Sequence, residues 1–213
     1  MNDAQIRRRP QQERSKTRVE TILDVALELI VEAGAEDFAM REVARRAGVP
    51  ISSVYQYFPS KTAIIRELAT RNLERVGRLL QDELASLLVE TGGRPTSAQA
   101  VGRLVDAYYS HYRDHPEATA VWAGAQPDPA LRQLDVSDTR HTAEFLTPAI
   151  MVNLALSDRD SAFALALLIA EVTGSTARLS LAVTSPLREQ VIEKLKIMLT
   201  AALEAHRAQG STP

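Results

Sequence analysis

The sequence predicts an all-α protein of about nine helices: an N-terminal three-helix domain containing a helix-turn-helix, followed by a larger C-terminal helical bundle. Three observations predict it. Apolar residues recur every three or four positions through almost every patterned segment. No run alternates with the period of a strand. Gly and Pro fall where those segments stop. With 213 residues, 45% of them apolar and 24% charged, the chain is ample for a sizeable core.

The elements follow in order. A first helix is expected from Ser15 to Ala33, with Val19, Ile22, Leu23, Ala26, Leu27 and Ile30 on one stripe and Gly34 placed to end it. Two short helices follow, Met40 to Ala47 and Ile51 to Tyr57, broken at Gly48. Ser60 can cap a long fourth helix from Lys61 to Glu90, which stops at Gly92, Gly93 and Pro95. A fifth is expected from Ser97 to His115 and a sixth from Pro116 to Ala123. After a turn at 126–129, a seventh runs from Ala130 to Leu156 with Pro148 as a possible bend. The last two span Asp158 to Val183 and Pro186 to Ala208. The expected domain boundaries are a basic arm over 1–13, a helix-turn-helix domain over 14–60 and a second domain over 61–213.

Composition removes several function classes. The absence of cysteine excludes disulfides, Cys-ligated zinc, iron–sulfur ligation and thiol catalysis. No initial apolar run ends at a small-residue cleavage site, and the apolar stretch Ala162 to Ala170 is shorter than the roughly 20 residues a bilayer needs. A cytoplasmic protein without membrane partners is therefore expected. No GxGxxG, GxxxxGK, G-x-S-x-G or Glu-x-x-His run occurs, so neither a nucleotide cofactor nor an enzymatic activity is expected. His111 and His115, four apart, could face one metal. Arg113 between them and the His115-Pro116 junction favour a wet surface instead, and no metal is assigned.

The net charge of -2 hides an asymmetry. Residues 1–18 carry six basic side chains (Arg7, Arg8, Arg9, Arg14, Lys16, Arg18) against Asp3 and Glu13, a net of +4. Residues 71–213 carry 14 basic and 17 acidic residues, a net of -3. A basic leader on a mildly acidic body suits nucleic acid contacted at one end, or simply a solvated arm.

The segment from Met40 to Phe58 carries the chemistry. Ala44 is small where two helices must approach, Gly48 suits the turn, and Val49 plugs the corner. Val54 and Phe58 hold the second short helix inward, leaving Ser52, Ser53, Gln56 and Tyr57 facing outward with the groups a major groove can read. Arg7, Arg8 and Arg9 could follow the phosphate backbone or enter a narrow minor groove.

Residues 14–75 resemble the DNA-binding domain of the TetR family of transcriptional regulators. The matching pieces are Thr17-Arg18, Ile22-Leu23-Asp24-Val25-Ala26, Gly34, Arg41-Glu42-Val43-Ala44, Ala47-Gly48-Val49, Val54-Tyr55-Gln56-Tyr57-Phe58 and Lys61. The resemblance implies an all-helical homodimer whose C-terminal domain often binds a small molecule that weakens operator binding. It implies base or backbone contacts at Ser52 and Ser53, and phosphate contacts or packing at Tyr55 and Tyr57, with Tyr55 also suited to a partly buried support. Lys61 is placed for a phosphate at the start of the fourth helix, and Arg41 for the backbone. Four positions depart from the family pattern: Ala39 and Pro50 remove side-chain caps, Ser52 stands where Gly is frequent, and Tyr57 replaces a frequent His.

In the second domain, Tyr108, Tyr112, Trp122, Phe145 and Met151 could line an apolar ligand cavity or form ordinary core, and the resemblance favours the cavity. Glu171, on an otherwise apolar helix, could meet a cationic ligand, an arginine or solvent. That helix is apolar almost all round, and the last helix repeats apolar residues at four and three. Phe163, Leu167, Val191, Leu195, Met198, Leu199 and Ala202 are therefore expected in a dimer interface built from two helices of each subunit; a central helix of a monomer is the alternative. The expected partners are double-stranded operator DNA, a small-molecule effector and a second copy. The expected function is a ligand-responsive repressor, against a ligand-independent DNA-binding dimer or a helical-bundle enzyme.

Overall fold

A computed structural model describes residues 13–125 and 129–210. Among them lie nine α-helices and no strand: α1 (Glu13–Ala33), α2 (Met40–Arg46), α3 (Ile51–Tyr57), α4 (Lys61–Glu90), α5 (Ser97–Asp114), α6 (Pro116–Ala125), α7 (Pro129–Leu154), α8 (Arg159–Leu181) and α9 (Leu187–Gly210). Each lies within a few residues of its expected bounds. The caps explain several ends. Gly34, at φ +90°, closes α1 with its N–H on the Ile30 carbonyl at 2.9 Å. Thr96 and Gln99 form a reciprocal capping box before α5: the Thr96 N–H donates to Gln99 Oε1 at 2.9 Å and the Gln99 N–H to Thr96 Oγ1 at 3.2 Å. Asp158 accepts the Asp160 N–H at 3.0 Å ahead of α8.

The chain divides into two compact units. The first contains α1 to α3, α4 as far as Glu74, and the stretch from His115 to Leu134 with α6. Val19, Ile22, Leu23, Ala26 and Ile30 of α1 are buried at the expected helical spacing, and α1 packs on both α2 and α6. Val43, Ala44, Val54 and Phe58 complete the inner side of the two short helices. At its edge, Arg71 of α4 reaches Glu20 of α1 and Glu67 of its own helix, an exposed network worth about 1 kcal/mol or less.

The second unit contains α4 from Arg75, α5, α7 from Asp135, α8 and α9. One core cluster joins Val101, Val105 and Tyr109 of α5 to Leu154, Leu165, Ile192, Leu195, Leu199 and Leu203. A smaller cluster sets Ala143, Leu146 and Ala166 against Leu104, Phe145, Phe163 and Leu167. This corrects two interface expectations. Leu195 and Leu199 are 2% and 6% exposed, facing α5 and α8 within the subunit, because α9 turns its Ile192–Leu195–Leu199–Leu203 stripe inward. Phe163 and Leu167 are partly buried in the smaller cluster.

α8 is, by length and composition alone, apolar enough to cross a membrane. Its apolar surplus has another outlet here. One side packs on α9 and α5, while Leu168 and Leu179 remain outside. Beside them, a groove of about 300 Å³ between α8 and α9 is lined by Val172, Thr176, Leu187, Val191, Lys194 and Met198, among others.

Candidate nucleic-acid interface

The turn between α2 and α3 is built by a helix stop that only a left-handed residue completes. Gly48, at φ +64°, sends its N–H to the Arg45 carbonyl at 3.3 Å, and the next N–H, of Val49, returns to the Ala44 carbonyl at 3.1 Å. This pair of bonds is the Schellman arrangement, and a residue with a Cβ at that φ is strained. Neither Ala39 nor Pro50 supplies a side-chain cap to the helix it precedes. Two seven-residue helices without side-chain caps cannot stand alone, so packing beneath them supplies their order.

α3 divides its residues sharply. Val54, Tyr57 and the following Phe58 are buried, at positions i, i+3 and i+4, whereas Ser52, Tyr55 and Gln56 are exposed at the same spacing on the other side. Ser53 is half-buried. This corrects the sequence expectation that Tyr57 faces outward. Tyr57 is 4% exposed and its hydroxyl bonds Ser15 Oγ at 2.6 Å, while Tyr55 is 46% exposed. The physical reason was present in the pattern: once Val54 and Phe58 point inward, the residue between them by one turn must do so too.

The flanks of this face are basic. Arg41 and Arg45, one turn apart on α2, are exposed. Glu42 does not complete a capping box but takes Arg45 through two bonds, Nε at 2.8 Å and Nη2 at 2.5 Å, and Arg46 Nε at 2.9 Å. Arg46 also reaches Glu32 of α1 at 2.9 Å. These guanidinium groups hold the Glu42 carboxyl at about 2, well below the ordinary carboxylate range. Lys61 is exposed at the start of α4, and one of its three donors goes to the Glu36 carbonyl. Ser60 accepts the Ala63 N–H at 3.2 Å in the first turn of α4. Arg7, Arg8 and Arg9 lie outside the described residues.

The candidate effector residues are divided between the two units. Trp122 belongs to the first unit, on α6, and is 3% exposed. Tyr108 and Tyr112 belong to the second and stack obliquely, ring centres 5.0 Å apart. Burial raises the Tyr108 phenol well above its ordinary range, with Tyr112 adding to the effect. Phe145 belongs to the smaller core cluster, and Met151 is half-buried. Glu171 is exposed and accepts the Ser175 hydroxyl at 3.0 Å. His111 is buried edge-on against Tyr112, 5.3 Å between ring centres, while His115 faces Glu117 at 3.0 Å. Among the described residues no three His, Cys, Asp or Glu side chains gather as a metal site.

Asp138 on α7 was absent from the sequence expectations. Burial pushes its carboxyl up to about 6 from 3.8, Asp135 adds to the rise, and His141 opposes it. The folded state thus binds this proton more tightly than the unfolded chain. Its contribution to stability is full below pH 4 and is lost as pH climbs through about 6. Asp138→Asn is expected to flatten that slope and raise stability at pH 7 by about 1–2 kcal/mol, its partial exposure discounted. Thermal melts of both proteins between pH 4 and 8 check this; parallel curves would remove Asp138 as the source.

Residues 22–68 match the model of bacterial regulatory proteins of the tetR family, and residues 95–207 match that of the tetracyclin repressor-like C-terminal domain. The HTH-type transcriptional repressor KstR of Rhodococcus jostii is 41% identical over 61 residues, a match that spans 29% of each chain. An uncharacterized HTH-type transcriptional regulator in the dhlA 5' region of Xanthobacter autotrophicus is 27% identical over 202 residues, covering 86% of this chain and 93% of its own. The crystal structure of a TetR-family transcriptional regulator from Streptomyces coelicolor superposes with TM-score 0.64 at 26% identity, covering 88% of this chain and 98% of that one. A protein of unknown function from Rhodococcus sp. RHA1 shares the fold at TM-score 0.66 and 18% identity, over 91% and 98% of the two chains.

Proposed function

The chain belongs to the TetR family of bacterial regulatory proteins, and we propose from this that it is a homodimeric repressor that binds a palindromic operator and releases it when a small apolar or aromatic effector enters the second unit. The exposed Ser52–Tyr55–Gln56 face of α3 carries the reading. It offers a hydroxyl, a ring and an amide from a helix held by its opposite side, flanked by Arg41 and Lys61 for phosphates. Pairing is supported by the outer apolar face of α8 and α9, where Met198 and Leu168 are 62% and 63% exposed. Ala202 and Val191, both half-buried, border the same face. Two copies joined there present two reading helices, and a palindrome answers that symmetry.

The effector reading is supported by the pair of half-buried Tyr108 and buried Tyr112, which presents aromatic surface with a phenol at its edge. Such a molecule switches the protein only by binding one arrangement of the dimer more tightly than the other.

Selection of bound duplexes from a random pool tests the operator. An enriched inverted repeat is the expected product. Gln56→Ala is expected to relax preference at one position of each half-site, at a cost of about 1–3 kcal/mol. Arg41→Ala is expected to weaken binding evenly across sequences and to lower the salt slope by about one. Recovery of a pool with no enriched sequence would overturn the reading.

A further inference from the structure

The bond between Tyr57 and Ser15 joins two parts of the first unit that differ in how they meet a polyanion. Tyr57 ends the reading helix, and Ser15 lies in the first turn of α1. Around Ser15, the sequence sets Arg14, Lys16 and Arg18 within three residues. The side chains of Lys16 and Arg18 are exposed. The basic end of α1 is thus joined to the reading helix by a hydroxyl–hydroxyl bond of 2.6 Å, with the Tyr57 ring itself buried. Farther along α1, Arg71 of α4 holds Glu20.

The rest of Tyr57 has an evident packing role; its hydroxyl does not. A phenylalanine would fill the same volume without placing an oxygen opposite Ser15. Resting on the operator-binding function proposed above, we infer that Tyr57 is a positioning residue. Its hydroxyl, acting through Ser15, fixes the basic start of α1 against the reading helix, so that phosphate contacts and base contacts engage the same register of one duplex. The residue touches no DNA in this role. It sets where the cations beside Ser15 stand when α3 lies in the groove.

The ordinary dispensability of an exposed side-chain tether does not apply, because the bond is partly buried and joins elements separated by 42 positions. Phosphate contacts depend on the placement of charge relative to the duplex axis, and their number is read directly from the salt dependence of binding. A tether that places one or two cations therefore has a measurable signature separate from folding.

The experiment uses the full chain, a duplex enriched by selection with the unaltered protein, and Tyr57→Phe, Ser15→Ala, Ser15→Thr and the double variant Tyr57→Phe/Ser15→Ala. Affinity is measured from about 0.05 to 0.3 M salt, and thermal unfolding is followed in parallel. Tyr57→Phe and Ser15→Ala are each expected to weaken binding about 2- to 10-fold, the range of one hydrogen bond, and to lower the salt slope by about one. The double variant is expected to be no weaker than either single one, since both remove the same bond. Ser15→Thr, which keeps a hydroxyl, is expected to restore the slope, and reselection with Tyr57→Phe to return the original sequence. Unchanged slopes in the single variants, fully additive losses in the double one, or losses that only track a lowered melting temperature would each overturn the inference. Failure of the unaltered protein to enrich any duplex would instead overturn the operator reading beneath it.

Discussion

Phe58→Ala is expected to destabilise the first unit by about 3–5 kcal/mol and to abolish specific DNA binding. The ring is fully buried, immediately after α3, and its N–H closes that helix on the Val54 carbonyl at 2.8 Å. Removing it leaves a cavity beneath a seven-residue helix that has no side-chain cap and little independent propensity to persist. The loss therefore falls on α3 before it falls on the rest of the chain. Hydrogen exchange of the α2 and α3 amides, together with thermal melts, checks the localisation. Phe58→Leu, which fills more of the cavity, is expected to recover a good part of the stability. A loss below about 1 kcal/mol for the alanine variant would contradict the packing described for this corner.

The second large effect concerns the pairing of subunits proposed above. Leu168→Glu combined with Met198→Glu is expected to convert a dimer into folded monomers at micromolar concentration. Both side chains are more than half exposed in a single subunit, so the subunit itself loses little. Across a twofold interface each substitution occurs twice, removing two apolar anchors per copy and placing like charges together in a poorly hydrated face. A weakening of roughly 1,000-fold or more follows if the penalty reaches about 4 kcal/mol. Sedimentation or light scattering reads the mass, and far-ultraviolet dichroism checks that the helices persist. Unchanged dimer mass would place the interface elsewhere.

Much of this architecture was legible in the sequence because its stops are chemical. Gly34 and Gly48 mark left-handed helix ends, and Ser60 and Pro116 mark starts, so the nine helices fall close to where periodicity put them. Side-chain direction was harder. On α9 the inward stripe through Ile192, Leu195, Leu199 and Leu203, at spacings of three and four, and the outward one through Leu187, Val191 and Met198, at four and seven, are both apolar with helical period. Periodicity alone cannot say which stripe belongs to the core when a helix carries two. Tyr57 is a different case: Val54 and Phe58 fix the inward side of α3, and the same helical register applied to Tyr57 would have buried it, where the sequence reading set it outward. The Ser15 partner was beyond reach, since a bond across 42 residues leaves no local mark. Asp138 likewise gave no signal, because an isolated aspartate on a mixed helix reads as surface until its neighbours are known.

The two sides of α3 also have separate liabilities under mutation. Val54, Tyr57 and Phe58 bear the mechanical burden of the corner, whereas Ser52, Tyr55 and Gln56 bear almost none of it. Substitutions on the outer side leave the scaffold intact. On the proposed reading of that outer side, a lineage can drift toward new target sites by exchanging these three surface residues while the inner side stays fixed, so that divergence of target and persistence of fold proceed on opposite faces of one seven-residue helix.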